Sequence, residues 1–362
     1  MMAKKFCLVF LVVFIGLGSV CVFGQSKEPN AVEVLRHYRE SLSYLQSVSI
    51  SMKMVANVDS NDVDSNDHEF LPQTLDFVFR RDRDNNRAEW LGKQLIFGSG
   101  GDIDVLNSDF VKEIADGNMF VSLIGMSLAE QPDSRRVRVI LLYNYTERLK
   151  ALLENPNFGG PLFGKMYGSN YKSVADLLGE AANLHIHDEK ENIDGVACFV
   201  LEGTSKYGKV TAWIAPEKGY NAMKWVIEKD SHHLFDDAAI SKKWPSVEGG
   251  QVLFNVKELH EIIGEDNTVF APKLAYFTHI TNFRGGTKSV DHYEYKTSDI
   301  QLNPDFEALG AFKMDVPNGT RVVVVEHPGF RYVWENGNIV PAEDPTFEEI
   351  DKIVEELKKE QQ

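Results

Sequence analysis

The chain has 362 residues, 43% of them hydrophobic and 25% charged, and a net charge of −16. A surface this acidic repels phosphate backbones and anionic lipid, which sets nucleic acid aside as a partner. Cys7 and Cys21 lie in the first 24 residues, so Cys198 stands alone and an exported fold would hold together by its core rather than by a disulfide.

Residues 1–24 read as a signal peptide. Lys4 and Lys5 form a basic start, residues 6–17 an apolar stretch, and Val22-Phe23-Gly24 precede Gln25 as a small-residue cleavage site. Residues 6–23 carry no charge, long enough for the alternative of a retained anchor, although Gly16, Gly18 and Ser19 weaken a span. Val20 departs from the small residue that lipidation at Cys21 requires. Cleavage removes two basic residues and takes the net charge to −18, with no stable membrane insertion expected afterwards.

Asn30 followed by Glu33 is a capping box, and Ala31, Leu35, Tyr38, Leu42 and Leu45 form a helical stripe. The period then changes. Val48, Ile50, Met52, Met54 and Ala56 alternate with polar residues, the pattern of a half-buried strand. Residues 58–62 repeat at once as 63–67; the tract lacks the glycine and distal glutamate of a calcium loop and reads as a solvated hairpin tip. Leu75, Phe77 and Phe79 alternate again. Residues 88–97, 103–114 and 119–124 are further strands, the last entered through Asp116-Gly117-Asn118.

Residues 137–153, dense in leucine and isoleucine, predict the longest helix, ended by Asn155-Pro156. A glycine-rich oily loop follows, and Ser173 with Asp176 starts a short helix over 174–182. Two helices joined by such a loop fit either a lid or a fixed helical cover. His185 and His187 share one strand face, beside Asp188 and Glu189; with no third ligand evident in the spacing, they read as exposed strand histidines and no metal is expected.

Residues 192–228 carry the clearest pattern. Three apolar runs, 196–201, 210–214 and 222–227, are separated by Ser205-Lys206-Tyr207-Gly208 and Pro216-Glu217-Lys218-Gly219, a three-stranded antiparallel meander. Period two places Phe199, Leu201, Val210, Ala212, Ile214, Met223, Trp225 and Ile227 on one face, and Glu202, Lys209, Thr211, Lys224 and Glu228 on the other. Cys198 sits inside an apolar strand with no basic neighbour, a buried inert thiol rather than a nucleophile. Residues 231–243 are polar and unpatterned. Strands follow over 252–263, 272–283 and after Arg284-Gly285-Gly286 to about residue 300. Beyond a connecting segment come strands over 321–325 and 330–334, a turn at Asn336-Gly337, Ile339-Val340, and a last helix boxed by Thr346 and Glu349.

This meander, with its xxGxxCFVLEG, GKVTAWIAPEKGY and MKWVI segments, resembles the central strands of the periplasmic lipoprotein carriers of the LolA/LolB type. The resemblance covers residues 30 to about 302. It implies an α+β fold, an incomplete antiparallel β-barrel of about eleven strands with helices across its concave side. With the signal peptide over 1–24, the chain then divides into a half-barrel over 25–311 with a helical insertion at about 137–183, and an extension over 312–362. The function implied is a periplasmic carrier or receptor of a lipid or a lipoprotein acyl chain. Met52, Met54, Phe199, Leu201, Val210, Ile214, Met223, Trp225 and Ile227 are the ligand-binding candidates, with ordinary core as the competing role. An envelope sensor or scaffold that binds a protein partner is the alternative. Gly-x-Ser-x-Gly, His-Glu-x-x-His and Cys-x-x-Cys are absent, so neither catalysis nor a cofactor is expected.

Overall fold

The computed structural model describes residues 29–60, 73–82, 84–85, 87–92, 110–115, 120–128, 131–143, 160–165, 168–169, 172–263, 268–314, 316–324 and 332–342. The leader, the repeat beyond residue 60, the Asp116-Gly117-Asn118 turn and the final helix lie outside these residues. Asn30 accepts from the backbone N–H groups of Val32 and Glu33, and the Asn30 N–H donates to the Glu33 carboxylate at 2.9 Å. That expected box starts α1 (Ala31–Ser43), which buries Val34, Leu35 and Tyr38.

The chain then runs through β1 (Val48–Ser60), β2 (Gln73–Asp82), β3 (Arg87–Gly92), β4 (Phe110–Ala115), β5 (Phe120–Leu128) and β6 (Gln131–Tyr143), each antiparallel to the one before. After the short α2 (Val174–Gly179) come β7 (Ala182–Ile186), β8 (Glu191–Ile193), β9 (Val196–Ser205), β10 (Gly208–Ala215) and β11 (Asn221–Asp230). A separate two-stranded excursion, β12 (Leu234–Phe235) and β13 (Ala238–Ala239), leads into the one-turn α3 (Ile240–Lys243). The long β14 (Val247–Ile263), β15 (Thr268–Phe283) and β16 (Lys288–Leu302) complete this half. Then β17 (Thr320–Val324), β18 (Tyr332–Glu335) and β19 (Asn338–Pro341) follow.

These strands make one curved sheet that does not close into a barrel. Its order is β7 and β8 in tandem along β9, then β10, β11, β14, β15, β16, β1 to β6, β17, β18 and β19. The joint is β1, which pairs with β16 on one side (Val48 opposite Leu302) and with β2 on the other (Val48 opposite Arg81). The described residues form 17 strands in this sheet rather than about eleven, because β6, the short β7 and β8, and the C-terminal β17–β19 belong to it as well.

Two further expectations are corrected. Residues 137–143 are strand, not helix: β6 is flanked by β5 and by β17, and an apolar run with both edges paired lacks the polar alternation that marks a strand in sequence. Residues 144–159 lie outside the described residues. The sheet is also not wholly antiparallel, since β17 runs parallel to β6, with Val322 opposite Ile140.

The inner face carries the main core. Val48, Ile50, Met52, Met54 and Ala56 of β1 enter it at every second residue, as do Leu75, Phe77 and Phe79 of β2. Covering them are Val34, Leu35 and Tyr38 of α1, Val174, Ala175, Leu177 and Leu178 of α2, and Leu162 and Phe163 of the turn Gly160–Phe163. A second cluster, Ile114, Val121, Leu123, Val322 and Trp334, joins β4 and β5 to β17 and β18.

Candidate functional site

All nine residues singled out for ligand binding meet in the main core. Met52, Met54, Phe199, Leu201, Val210, Ile214, Met223, Trp225 and Ile227 are buried to within 6% of full burial. In the meander that carries seven of them, Ala212 lies between Leu201 and Trp225. Trp225 stacks on Phe254 at 5.4 Å and meets Phe277 edge-on at 6.2 Å. Other buried side chains pack in the same core: Phe163 lies 5.0 Å from Phe79, and α2 contributes the four buried apolar residues Val174, Ala175, Leu177 and Leu178. Of the oily loop, Leu162 and Phe163 are buried in this core.

Open space lies farther along the inner face. A cavity of about 300 Å³ sits between the β12–β13–α3 excursion and the paired strands β14 and β15. Val252 and Phe277 belong both to the core and to its wall, so the cavity continues the core toward one end of the sheet. Phe235, Ile240 and Trp244 roof it, with the Phe235 and Trp244 rings edge-to-face at 4.6 Å. Gly249 and Gly250 leave its floor bare of side chains: a Cβ on Gly250 would fall 2.0 Å from the Ile280 carbonyl oxygen. Lys229 and His279 add nitrogen to a wall that is otherwise largely apolar, and Asp291 lies 3.5 Å from His279 Nδ1. Trp244 keeps 39% of its surface exposed, which puts it at the mouth. An apolar pocket with a few polar groups and a volume near the lower end of the ~300–1,000 Å³ of small-molecule sites suits one short amphiphile.

Sequence reasoning missed Phe235, Ile240 and Trp244, because residues 231–243 carry no period. The available signals were Trp244-Pro245 and the glycine pair at 249–250, which mark close backbone approach within β14.

His185 and His187 stand on the other face. His185 pairs with Glu202 across β7 and β9, and His185, His187 and Glu202 each offer a ligand atom within 4.8 Å of the others. Spacing along the chain does not reveal Glu202, since strand register alone brings it there. Cys198 is buried, and burial pushes its thiol up to about 11, the inert state expected.

Among the described residues no helix is long and apolar enough to cross a membrane. No family model matches the chain. No curated protein matches it either. Among solved structures it is similar to a DUF1329 family protein from Desulfovibrio piger, at 10% identity and a TM-score of 0.36, covering 76% of this chain and 94% of that one. It is also similar to the MucA/MucB complex of Pseudomonas aeruginosa, at 9% identity and a TM-score of 0.23, over 76% of this chain and 99% of that one. A third likeness is to lipovitellin, at 11% identity and a TM-score of 0.26, over 72% of this chain and 26% of that one. Similarity at this level assigns no ligand, partner or activity to the chain.

Proposed function

We propose that this protein is a non-enzymatic carrier or receptor of the bacterial envelope, and that it holds one acyl chain in the cavity under Phe235, Ile240 and Trp244. The observation that carries the reading is that cavity, an apolar space on the inner face of a curved sheet with a single mouth tryptophan. Residues 1–24, with their export pattern, and the resemblance of residues 192–228 to lipoprotein carriers support it. The nine core residues then act as the scaffold against which the cavity wall is built, not as its lining.

Affinity would come from burial of apolar surface at roughly 25 cal/mol per Å². Lys229 gives the wall a cation suited to a carboxylate head. A dansyl-labelled fatty acid titrated into the purified full chain tests this. The expected result is saturable binding that Trp244→Ala weakens roughly tenfold, about 1.4 kcal/mol, with the fold intact. Trp225→Ala is expected to cost about 3–5 kcal/mol of stability and to lower binding only with the folded fraction. Loss of affinity in Trp225→Ala but not in Trp244→Ala returns the site to the core, and no saturable binding at all rejects the carrier.

A further inference from the structure

We infer that His185, His187 and Glu202 form a surface site for one zinc ion, on the face of the sheet away from the cavity and independent of it. β7 is an edge strand with a register shift between Ala182 and His185, and Asn183 there adopts φ 60°. Such bulges re-aim the side chains that follow them. Here the bulge turns the Asn183 carbonyl to accept from His185 Nδ1 at 3.0 Å. With Nδ1 donating, the neutral ring keeps its lone pair on Nε2, the atom it would offer a metal.

His187, two residues on, falls on the same face, its ring stacked on that of His185 at 5.5 Å between centroids. Its Nε2 lies 3.9 Å from Glu202 Oε2, and its Nδ1 lies 3.9 Å from Glu191 Oε1. Glu191 is itself held, because its Oε2 accepts from Trp213 Nε1 at 2.8 Å. His185 thus has its tautomer set by a backbone carbonyl, and His187 has a carboxylate near its other nitrogen, within reach of a side-chain rotation. Partners of both kinds form the outer layer that orients the ligands at metal sites.

Two imidazoles and a carboxylate with an open fourth position match the donor set of zinc sites that retain a water. Ligands about 2.0–2.2 Å from tetrahedral zinc sit roughly 3.4 Å apart, so rotation of exposed side chains suffices to close the observed separations. The half-exposed to exposed placement also lets an ion enter without moving the backbone. Lys209 competes: its Nζ lies 3.1 Å from Glu202 Oε2, and Thr211 Oγ1 donates to the same oxygen at 3.5 Å. A metal would have to displace that ammonium, which makes Lys209 a diagnostic position.

Isothermal titration of the tag-free full chain with Zn²⁺ alone, near neutral pH, tests the site. The expected result is one saturable ion per chain, lost in H185Q/H187Q with an unchanged circular dichroism spectrum. Glu191→Gln is expected to weaken it about tenfold through the outer layer. Lys209→Met is expected to tighten it, an effect no merely structural role of these residues produces. Absence of saturable Zn²⁺ binding overturns the site, as does binding that survives H185Q/H187Q. No tightening in Lys209→Met overturns Glu202 as a ligand. Should the double variant fold poorly, Glu202→Gln serves instead: loss of affinity supports the site and unchanged affinity rejects it.

Discussion

Glu89 is wholly buried on the face of β3 opposite the main core, and three donors converge on it. Arg80 of β2 pairs with Oε1, Lys112 Nζ of β4 approaches Oε2 at 3.0 Å, and the Phe312 N–H donates to Oε2 at 2.6 Å. Arg87 lies 4.5 Å over the Phe312 ring, and Lys112 also donates to the Lys313 carbonyl at 2.9 Å. One carboxylate therefore ties three strands to the segment that leads into β17. Removing it leaves Arg80 and Lys112 close to each other and mostly buried, so Glu89→Ala is expected to cost about 3–5 kcal/mol in urea unfolding. The Phe312 amide should lose hydrogen-exchange protection in the same variant. A change under about 1 kcal/mol would show that the cluster holds nothing together. In sequence Glu89 is one more acidic residue of an acidic chain, and nothing local marks it. Cys198 is the contrary case: its apolar neighbours announce burial directly.

β14 and β15 form the longest pairing of the sheet and also the floor of the cavity, so their fit serves both stability and binding. Gly250 faces Thr281 in that ladder, and its missing Cβ is what lets the two backbones meet beside Ile280. The obstructing atom is a carbonyl oxygen, not the flexible end of a side chain. Gly250→Ala must therefore separate the strands, with an expected cost of about 1–3 kcal/mol. It should also reduce fatty-acid binding, because the displaced strands line the cavity. Equal thermal stability of Gly250→Ala and the unsubstituted chain would contradict this geometry. The hairpin of β18 and β19 was legible from its turn alone: Asn336 and Gly337 both take positive φ, 48° and 83°, as the Asn-Gly pair predicts. β6 was not legible, since a short apolar run is equally a buried helix and a strand paired on both edges.

Because β17 pairs with β6 and closes the second cluster over Ile114, Val121 and Leu123, the C-terminal residues complete the sheet. A chain ended at residue 311 would bare the β6 edge and that cluster together, and both are routes to self-association. The expected outcome is aggregation, or a lower melting temperature with exposed apolar dye-binding surface, in light scattering and thermal melts. A monomer with unchanged melting would mean that residues 312–342 are an independent addition. Continuity of the sheet from β7 to β19 also argues that the described parts unfold together, since each strand loses a neighbour when the next one leaves.

Local periods carried far in this protein. The capping box of α1, the alternation of β1 and the three strands of the meander with their buried faces follow from spacings of two to four residues. Backbone geometry enforces such spacings wherever one face is apolar. Whether the hollow those faces border is open or filled depends on Leu162, Phe163, Leu177 and α1, which are remote in sequence from the meander they cover. The cavity under Trp244 and the meeting of Glu202 with His185 and His187 depend likewise on how an aperiodic excursion folds back and on the register across β7 and β9. Burial pattern is a property of one strand, whereas a cavity or a ligand set is a property of which strands become neighbours. That choice is made by long-range packing, and only the folded chain displays it.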